Sequence, residues 1–230
     1  MDWYPLWNSL RIAAVSSVLV FFSGIGAAYY AAKLPRLLKG FLDVFLTLPM
    51  VLPPTVVGYF LLLLVGNRRP LGMALANLGL QLVMDWKGGI LAAFAVSFPL
   101  MYRTARGAFE SFDETLAQAG KTLGLSNAFI FWRIRMPVCR QGILAGAVLA
   151  FARALGEYGA TSMLIGYTPG RTATISTTVY QMWRTGDDRQ AFLWVFVNLA
   201  ISAAVLLAVN GLEQKDRQNK KGAPVAECND

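Results

Sequence analysis

Long uncharged stretches alternate with short charged ones along this chain. Ile12–Ala32 is uncharged between Arg11 and Lys33, Val44–Gly66 after Asp43, and Gln190–Leu212 before Glu213. Gln141–Gly170 is interrupted only by Arg153 and Glu157. An α-helix needs about 20 apolar residues to cross the hydrocarbon core of a bilayer, and each of these four stretches reaches that length. A fifth, Gly88–Tyr102, is uncharged over fifteen residues, and Arg103 and Arg106 lengthen it by snorkelling. The pattern predicts an all-α polytopic membrane protein of about five transmembrane helices, near 8–32, 42–65, 88–108, 141–165 and 190–212. Leu71–Met84 is too short to span and is expected in the interface or as a hairpin. The transmembrane domain then covers 1–212, and the polar stretch 213–230 is expected as a short helical extension that frays into a disordered tail.

Composition agrees with this pattern. Of 230 residues, 56% are hydrophobic and only 15% charged, where a soluble domain carries charge on roughly a quarter. The net charge of +8 would point to nucleic acid in a soluble protein; in a membrane protein it reflects Lys and Arg gathered in cytoplasmic loops. Counting them in the predicted connections puts thirteen on one side, including Lys33, Lys39, Arg106, Arg133 and Arg135, and six on the other, with Arg11 near the second surface. The N-terminus is therefore expected outside, the C-terminus in the cytoplasm, and 103–140 in the cytoplasm. The start of the chain lacks a basic n-region, so the first span is expected to be retained. Cys139 and Cys228 share no metal spacing and form no disulfide framework. The chain has no histidine, which removes the commonest metal ligand and general base.

Between the third and fourth spans lies a segment, 110–137, that reads as two short helices hinged at a glycine. Glu110–Leu123 suits a helix, with Asp113 and Glu114 early and Lys121 late, complementing the helix dipole. Gly124 falls where a left-handed residue ends a helix. Ser126 or Asn127 caps a second helix, Ala128–Arg135, which Pro137 closes as it opens the next span. That helix is expected to present Phe129, Phe131 and Trp132 beside Arg133 and Arg135, the residue types of a protein–protein anchor. The alternative is an amphipathic loop lying on lipid headgroups. Gly120-Lys121-Thr122 imitates the end of a phosphate-binding loop, but Thr115 stands where that loop needs glycine. The chain is not expected to bind ATP.

Two features lie inside the spans. Pro49, Pro53 and Pro54, followed by Thr55, must kink or break the second span. In a bilayer such breaks persist where protein or a water-filled pathway covers the freed carbonyls. Arg153 and Glu157 stand one turn apart in the fourth span. They read either as a self-satisfying ion pair that fixes packing or as part of an anion pathway or gate. Gly142 and Gly146 permit close helix approach, within the subunit or between two copies.

The segment Gln118-Ala119-Gly120, then Gly124, Ile134 and Pro137, resembles the pattern E-A-A-x3-G-x9-I-x-L-P in the cytoplasmic loop of bacterial ABC-importer permeases. Gln118 stands for Glu, Gly120 for the second Ala and Met136 for Leu. L-P-P-T-V-V-G-Y-F-L-L-L-L-V-G at 52–66, N-R-R-P-L-G at 67–72 and A-F-A-R-A-L-G-E-Y-G-A-T at 150–161 resemble the molybdate permeases of that family. This resemblance covers about residues 5–212. It implies a multi-pass bacterial inner-membrane permease with no catalytic residues, no metal and no cofactor of its own, ATP and Mg being used by a partner. It further implies a homodimer, two cytoplasmic ATPase subunits and a periplasmic oxyanion-binding protein. On this resemblance Gln118, Ala119, Gly120, Gly124, Phe129, Phe131, Trp132, Ile134 and Pro137 couple the permease to the ATPase. Sulfate and tungstate permeases are alternatives within the class. A secondary anion transporter is a different class, which would carry ion-coupling acids in its spans; Glu157 is the one acid deep in a predicted span.

Overall fold

The computed structural model describes residues 2–221, with side chains up to residue 207, and every regular element among the described residues is helical. The helices are α1 (Tyr4–Ala32), α2 (Arg36–Val51), α3 (Pro54–Val65), α4 (Pro70–Asn77), α5 (Trp86–Glu110), α6 (Glu114–Thr122) and α7 (Asn127–Ile130). After a π-helical turn, Phe131–Arg135, come α8 (Met136–Leu155), α9 (Gly159–Ile165), α10 (Ile175–Arg184) and α11 (Asp188–Lys221). Cys228 and the rest of the expected tail beyond Lys221 lie outside the described residues.

Helix α5 is the central post, packed against α1 on one side and α8 on another. Small residues make that possible. A Cβ on Gly142 would stand 2.7 Å from Cβ of Ala108, one on Gly146 3.0 Å from Cβ of Thr104, and one on Gly24 2.7 Å from Cγ of Met101. The Gly142–Gly146 pair is thus used within the subunit, where close approach replaces the hydrophobic drive that lipid cannot supply. Two apolar cores result. One gathers Val20, Ile25, Met101, Tyr102, Phe109, Ile130 and Ile143 near the α5–α6 junction. The other gathers Ile12, Val57, Ala92, Val96, Leu155, Leu164 and Ile165 toward the opposite end.

Three helical stretches, Tyr4–Ala32, Asn127–Leu155 and Asp188–Leu207, are long and apolar enough to cross a membrane, and the pair α2 and α3 makes a fourth if counted as one bent span. Helix α5 has 25 residues, about 37 Å at 1.5 Å per residue, with charged residues toward both ends. Two expected spans are broken helices. The prolines of the second produce a 112° bend between α2 and α3: Pro49 stays inside α2, Pro53 caps α3 and Pro54 is its first residue. The fourth breaks between Leu155 and Gly159. Leu71–Met84 holds only the eight-residue α4 and a turn, tied by the Met84 N–H to the Leu164 carbonyl at 3.2 Å.

Candidate functional site

The 110–137 segment is organised more tightly than its sequence predicts. Glu110 and its neighbours continue α5, so the first short helix begins at Glu114, and Asp113 caps it by accepting the Thr115 N–H at 2.9 Å. That hydrogen bond holds the Asp113 carboxyl below the ordinary carboxylate range. At the other end Gly124 takes φ +77°. The Leu125 N–H reaches the Gly120 carbonyl at 3.1 Å and the Gly124 N–H reaches Lys121 at 2.9 Å. This paired closure satisfies the last carbonyls of α6. Ser126 then caps α7 through the Phe129 N–H at 3.2 Å.

Pro137 does not close the second helix. Asn127–Leu155 is one continuous 29-residue helix, with the π-helical turn just ahead of the proline. Pro137 lacks the N–H that a regular helix would use, and the widened turn absorbs that loss. The coupling segment and the fourth span are therefore a single rod.

Exposure divides the predicted residues. Gln118, Ala119, Gly124, Phe129, Trp132 and Pro137 are exposed, Ile134 is half-buried and Gly120 is buried. A Cβ on Gly120 would lie 3.1 Å from Cγ1 of Ile130, so glycine lets α6 rest on the rod. Phe131 is not a surface anchor: its ring sits 4.7 Å from that of Tyr29 and 6.2 Å from that of Phe109. Nor is Arg135, which is 6% exposed. Its Nη2 donates to both Glu114 carboxylate oxygens at 2.7 and 2.9 Å, and its guanidinium lies 4.4 Å from the Phe112 ring. This contact staples α6 to the rod. The tip instead presents Leu123 (79% exposed), Trp132 (61%), Phe129 and Leu116, with Lys121 and Arg133 beside them. Leu123 was missed by sequence reasoning; an apolar residue directly before the helix-ending glycine of a polar helix was its signal.

A second arrangement, unforeseen in the sequence, joins α2 to the end of α5. Lys39 pairs with Glu110, Asp43 with Arg106, and the Tyr102 hydroxyl donates to Asp43 Oδ1 at 2.5 Å. Arg106 Nε also lies 3.6 Å from Glu110. None of α2's residues is buried among the described residues, so this charge cluster, with half-buried Leu42 and Leu46, carries its attachment. Two i,i+4 sets of opposite sign, Lys39/Asp43 and Arg106/Glu110, were the available signal. Their pairing is tertiary.

The pathway candidates meet at the two helix breaks. A Cβ on Gly58 would lie 2.7 Å from Cα of Ala160 and 2.9 Å from Cβ of Met163; one on Gly159 would lie 2.8 Å from Cβ of Pro54 and 3.1 Å from the Thr55 nitrogen. Helix α3 thus crosses α9 with backbones nearly touching. Pro53 and Thr55 are exposed and Pro54 is half-buried. Arg153 Nη1 pairs with Glu157 Oε2 at 2.5 Å, but Glu157 stands beyond the end of α8. Its Oε1 accepts the Ala160 N–H at 2.7 Å, so this 4%-exposed carboxylate also satisfies the first turn of α9. An acid at a helix N-terminus is favoured by the dipole.

Two broken spans thus cross where α3 meets α9, and an exposed apolar tip is continuous with one of them. Residues 24–214 match the family described as binding-protein-dependent transport system inner membrane component, and the chain belongs to it; it is a multi-pass inner-membrane subunit and not an enzyme. It is similar to the molybdenum transport system permease protein ModB of Escherichia coli (strain K12), 39% identical over 220 residues, 93% of this chain and 96% of that one. It is also similar to the putative molybdenum transport system permease protein YvgM of Bacillus subtilis (strain 168), 34% identical over 206 residues, 89% and 91% of the two chains. Among solved structures, a chain of the inward-facing MetNI methionine ABC transporter superposes with a TM-score of 0.71 at 12% identity, over 92% and 94% of the chains. A bacterial alginate ABC transporter gives 0.73 at 16%, over 92% of this chain and 78% of that one. At such identities these likenesses speak for the fold alone.

Proposed function

We propose that this chain is the permease of an ATP-driven importer that carries molybdate inward. Full-length similarity to molybdenum transport permeases supports the cargo. The coupling reading rests on one structural observation: the exposed tip is continuous, through Asn127–Leu155, with the break beside Arg153 and Glu157. At 1.5 Å per residue that rod is about 43 Å long, and rigid rods transmit displacement.

The tip, Leu116, Leu123, Phe129 and Trp132 with Gln118 and Ala119 alongside, docks into a separate ATPase subunit that uses ATP and Mg. Movement of α6 reaches the rod through the Arg135–Glu114 staple and reaches α5 through the short Ser111–Asp113 link. The cluster of Lys39, Asp43, Arg106 and Glu110 passes it to α2, whose far end is the bend at Pro53. Both crossing breaks are thereby driven from one surface. Arg153 is held by Glu157, so its role at the crossing is to keep the break in register. The permease domain is 1–212, the N-terminus is outside, and the working assembly holds a second copy of this chain, two ATPase subunits and a periplasmic oxyanion-binding protein.

ATP-dependent uptake of radiolabelled molybdate into proteoliposomes holding the permease, its ATPase and its binding protein tests the reading. Tungstate is expected to compete and sulfate to compete weakly. Sulfate uptake with molybdate rejected would move the cargo, and uptake without ATP would remove the coupling.

A further inference from the structure

Where α1 runs alongside the start of the rod, the two leave a groove of about 440 Å³ between them. Its walls are aromatic, with Phe21, Phe22, Tyr29 and Tyr30 from α1 and Phe131 and Trp132 from the rod. The Tyr29 and Phe131 rings, 4.7 Å apart, join the two walls. Gly26 also lines the groove, and a Cβ there would meet nothing within 4 Å, whereas one on Gly24 would strike Met101. Glycine weakens a helix interior relative to alanine. At Gly24 packing requires it; at Gly26 no described neighbour does, and the missing side chain deepens the groove.

The groove is charged at one end only. Lys33, the residue after α1, donates from Nζ to the Tyr29 hydroxyl at 2.5 Å, and its ammonium lies 3.8 Å from the Tyr29 ring centroid. Lys33 is exposed and pairs with no carboxylate among the described residues. Helix α8 packs on α1 as well, so the rod runs back along α1: the Asn127 amide lies toward Lys33, and Met136 toward Phe21. None of the lining residues is acidic. From Phe21 to Tyr30 the groove follows α1 for about 13 Å at 1.5 Å per residue, close to one leaflet of a ~30 Å hydrocarbon core. Its volume holds about fifteen water-sized groups at ~30 Å³ each, and a methylene is of that size. Tyr4–Ala32 is long and apolar enough to cross a membrane, so the Phe21 end lies at hydrocarbon depth, which a water-soluble subunit does not reach.

We infer that this groove binds an anionic phospholipid, one acyl chain lying over Gly26 and the headgroup at Lys33. Charge decides the headgroup. An ammonium held on the wall of a groove without acids attracts an anionic head, and the cation of a zwitterionic head would stand against it. The aromatic walls suit the ester region, since amphipathic rings settle at the membrane border. A chain so placed lies against Phe131 and Trp132 and fills the gap between α1 and the rod that carries the exposed tip. The lipid thereby braces that rod against α1. This goes beyond the proposed transport and needs only that α1 crosses the membrane.

Photolabelling tests this in proteoliposomes holding the complete transporter. Trace phosphatidylglycerol or phosphatidylcholine with a diazirine in its acyl chain is illuminated, and the cross-linked peptides are mapped. Phosphatidylglycerol is expected to label the peptides holding Gly26 and Trp132 about fivefold more than phosphatidylcholine does, the selectivity of one lysine near an anionic head. The peptide of α11 around Phe192 and Phe196, both exposed, is the control and is expected to show no preference. Lys33→Gln, at an exposed position, is expected to remove the preference and keep the phosphatidylcholine labelling. Gly26→Leu fills the groove and is expected to bring phosphatidylglycerol labelling down to the α11 level without lowering the thermal midpoint. If that variant melts early, Lys33→Gln decides alone. Equal labelling by the two lipids in the unaltered protein overturns the inference, as does a preference that survives Lys33→Gln. A groove left unlabelled while α11 is labelled means that a second copy or the ATPase covers it, which also overturns it. Uptake is not read here, so these outcomes leave the transport reading standing.

Discussion

Gly58 of α3 faces Ala160 of α9 so closely that a Cβ on the glycine would stand 2.7 Å from the alanine Cα. The obstructing atom is backbone, so no side-chain rotation relieves it. Gly58→Ala is expected to push the two breaks apart at a cost of about 1–3 kcal/mol, the usual range for overpacking, lowering the thermal midpoint of the detergent-solubilised protein. Gly107→Ala is the matched control: inside α5, with nothing described within 4 Å, it is expected to be neutral or stabilising by about 0.5–1 kcal/mol. Equal midpoints for the two variants would refute the close crossing.

Arg153→Ala leaves Glu157 buried with the Ala160 N–H as its remaining described partner. Burying an uncompensated carboxylate is costly, so the variant is expected to assemble poorly. Arg153→Ala combined with Glu157→Gln keeps the cap without the charge and is expected to recover assembly. Size-exclusion profiles of the purified transporter read this directly. A well-assembled Arg153→Ala protein with altered anion preference would reassign the arginine to the pathway.

Trp132 and Phe131 are adjacent in sequence and opposite in consequence. Trp132→Ala and Leu123→Ala remove exposed anchors and are expected to weaken ATPase binding by about 2 kcal/mol or more each, roughly thirtyfold, without shifting the permease's own thermal midpoint. Phe131→Ala removes a ring packed on Tyr29 and Phe109 and is expected to lower that midpoint. Gly124→Val forces a β-branched residue to φ +77° and is expected to break coupling while membrane insertion survives. Pull-down of the ATPase alongside thermal melts separates the two classes.

Asp43 and Arg106 pair across α2 and α5, both side chains mostly shielded. Asp43→Asn or Arg106→Gln alone is expected to destabilise by about 1–3 kcal/mol, below the 3–5 kcal/mol of a fully buried pair because water still reaches the site. The charge-swapped double variant, Asp43→Arg with Arg106→Asp, is expected to recover part of the loss. Full additivity of Asp43→Asn and Arg106→Gln in their own double-mutant cycle would show that the charges do not hold α2.

Much of this protein was legible along its length. The apolar stretches announced an all-α membrane bundle, because a helix in lipid must satisfy its own backbone. The consecutive Pro53 and Pro54 announced the break after α2, because neither residue has an N–H to donate. Gly124 announced the end of α6 through local capping chemistry, whereas its start, expected at Glu110, falls at Glu114 behind the Asp113 cap. Local chemistry misled in two ways: Pro137 runs on inside a rod because the adjoining π-helical turn absorbs its missing hydrogen bond, and a distant partner can overrule a charge. Arg135 carries a charge that the positive-inside count assigns to the surface, yet Glu114 and Phe112 hold it buried.

The sequence by itself determined the long apolar helices, since periodicity and length are properties of neighbouring residues, but it did not announce α10, Ile175–Arg184, in the connection it left between two spans. Only the tertiary structure decided that the break after Pro53 crosses the break before Gly159, and that the cluster of Lys39, Asp43, Arg106 and Glu110 fastens α2. It likewise decided that Phe131 packs inward while Trp132 faces out. Those outcomes depend on contacts between residues up to about a hundred positions apart, and small residues such as Gly58 and Gly159 admit them without naming their partners.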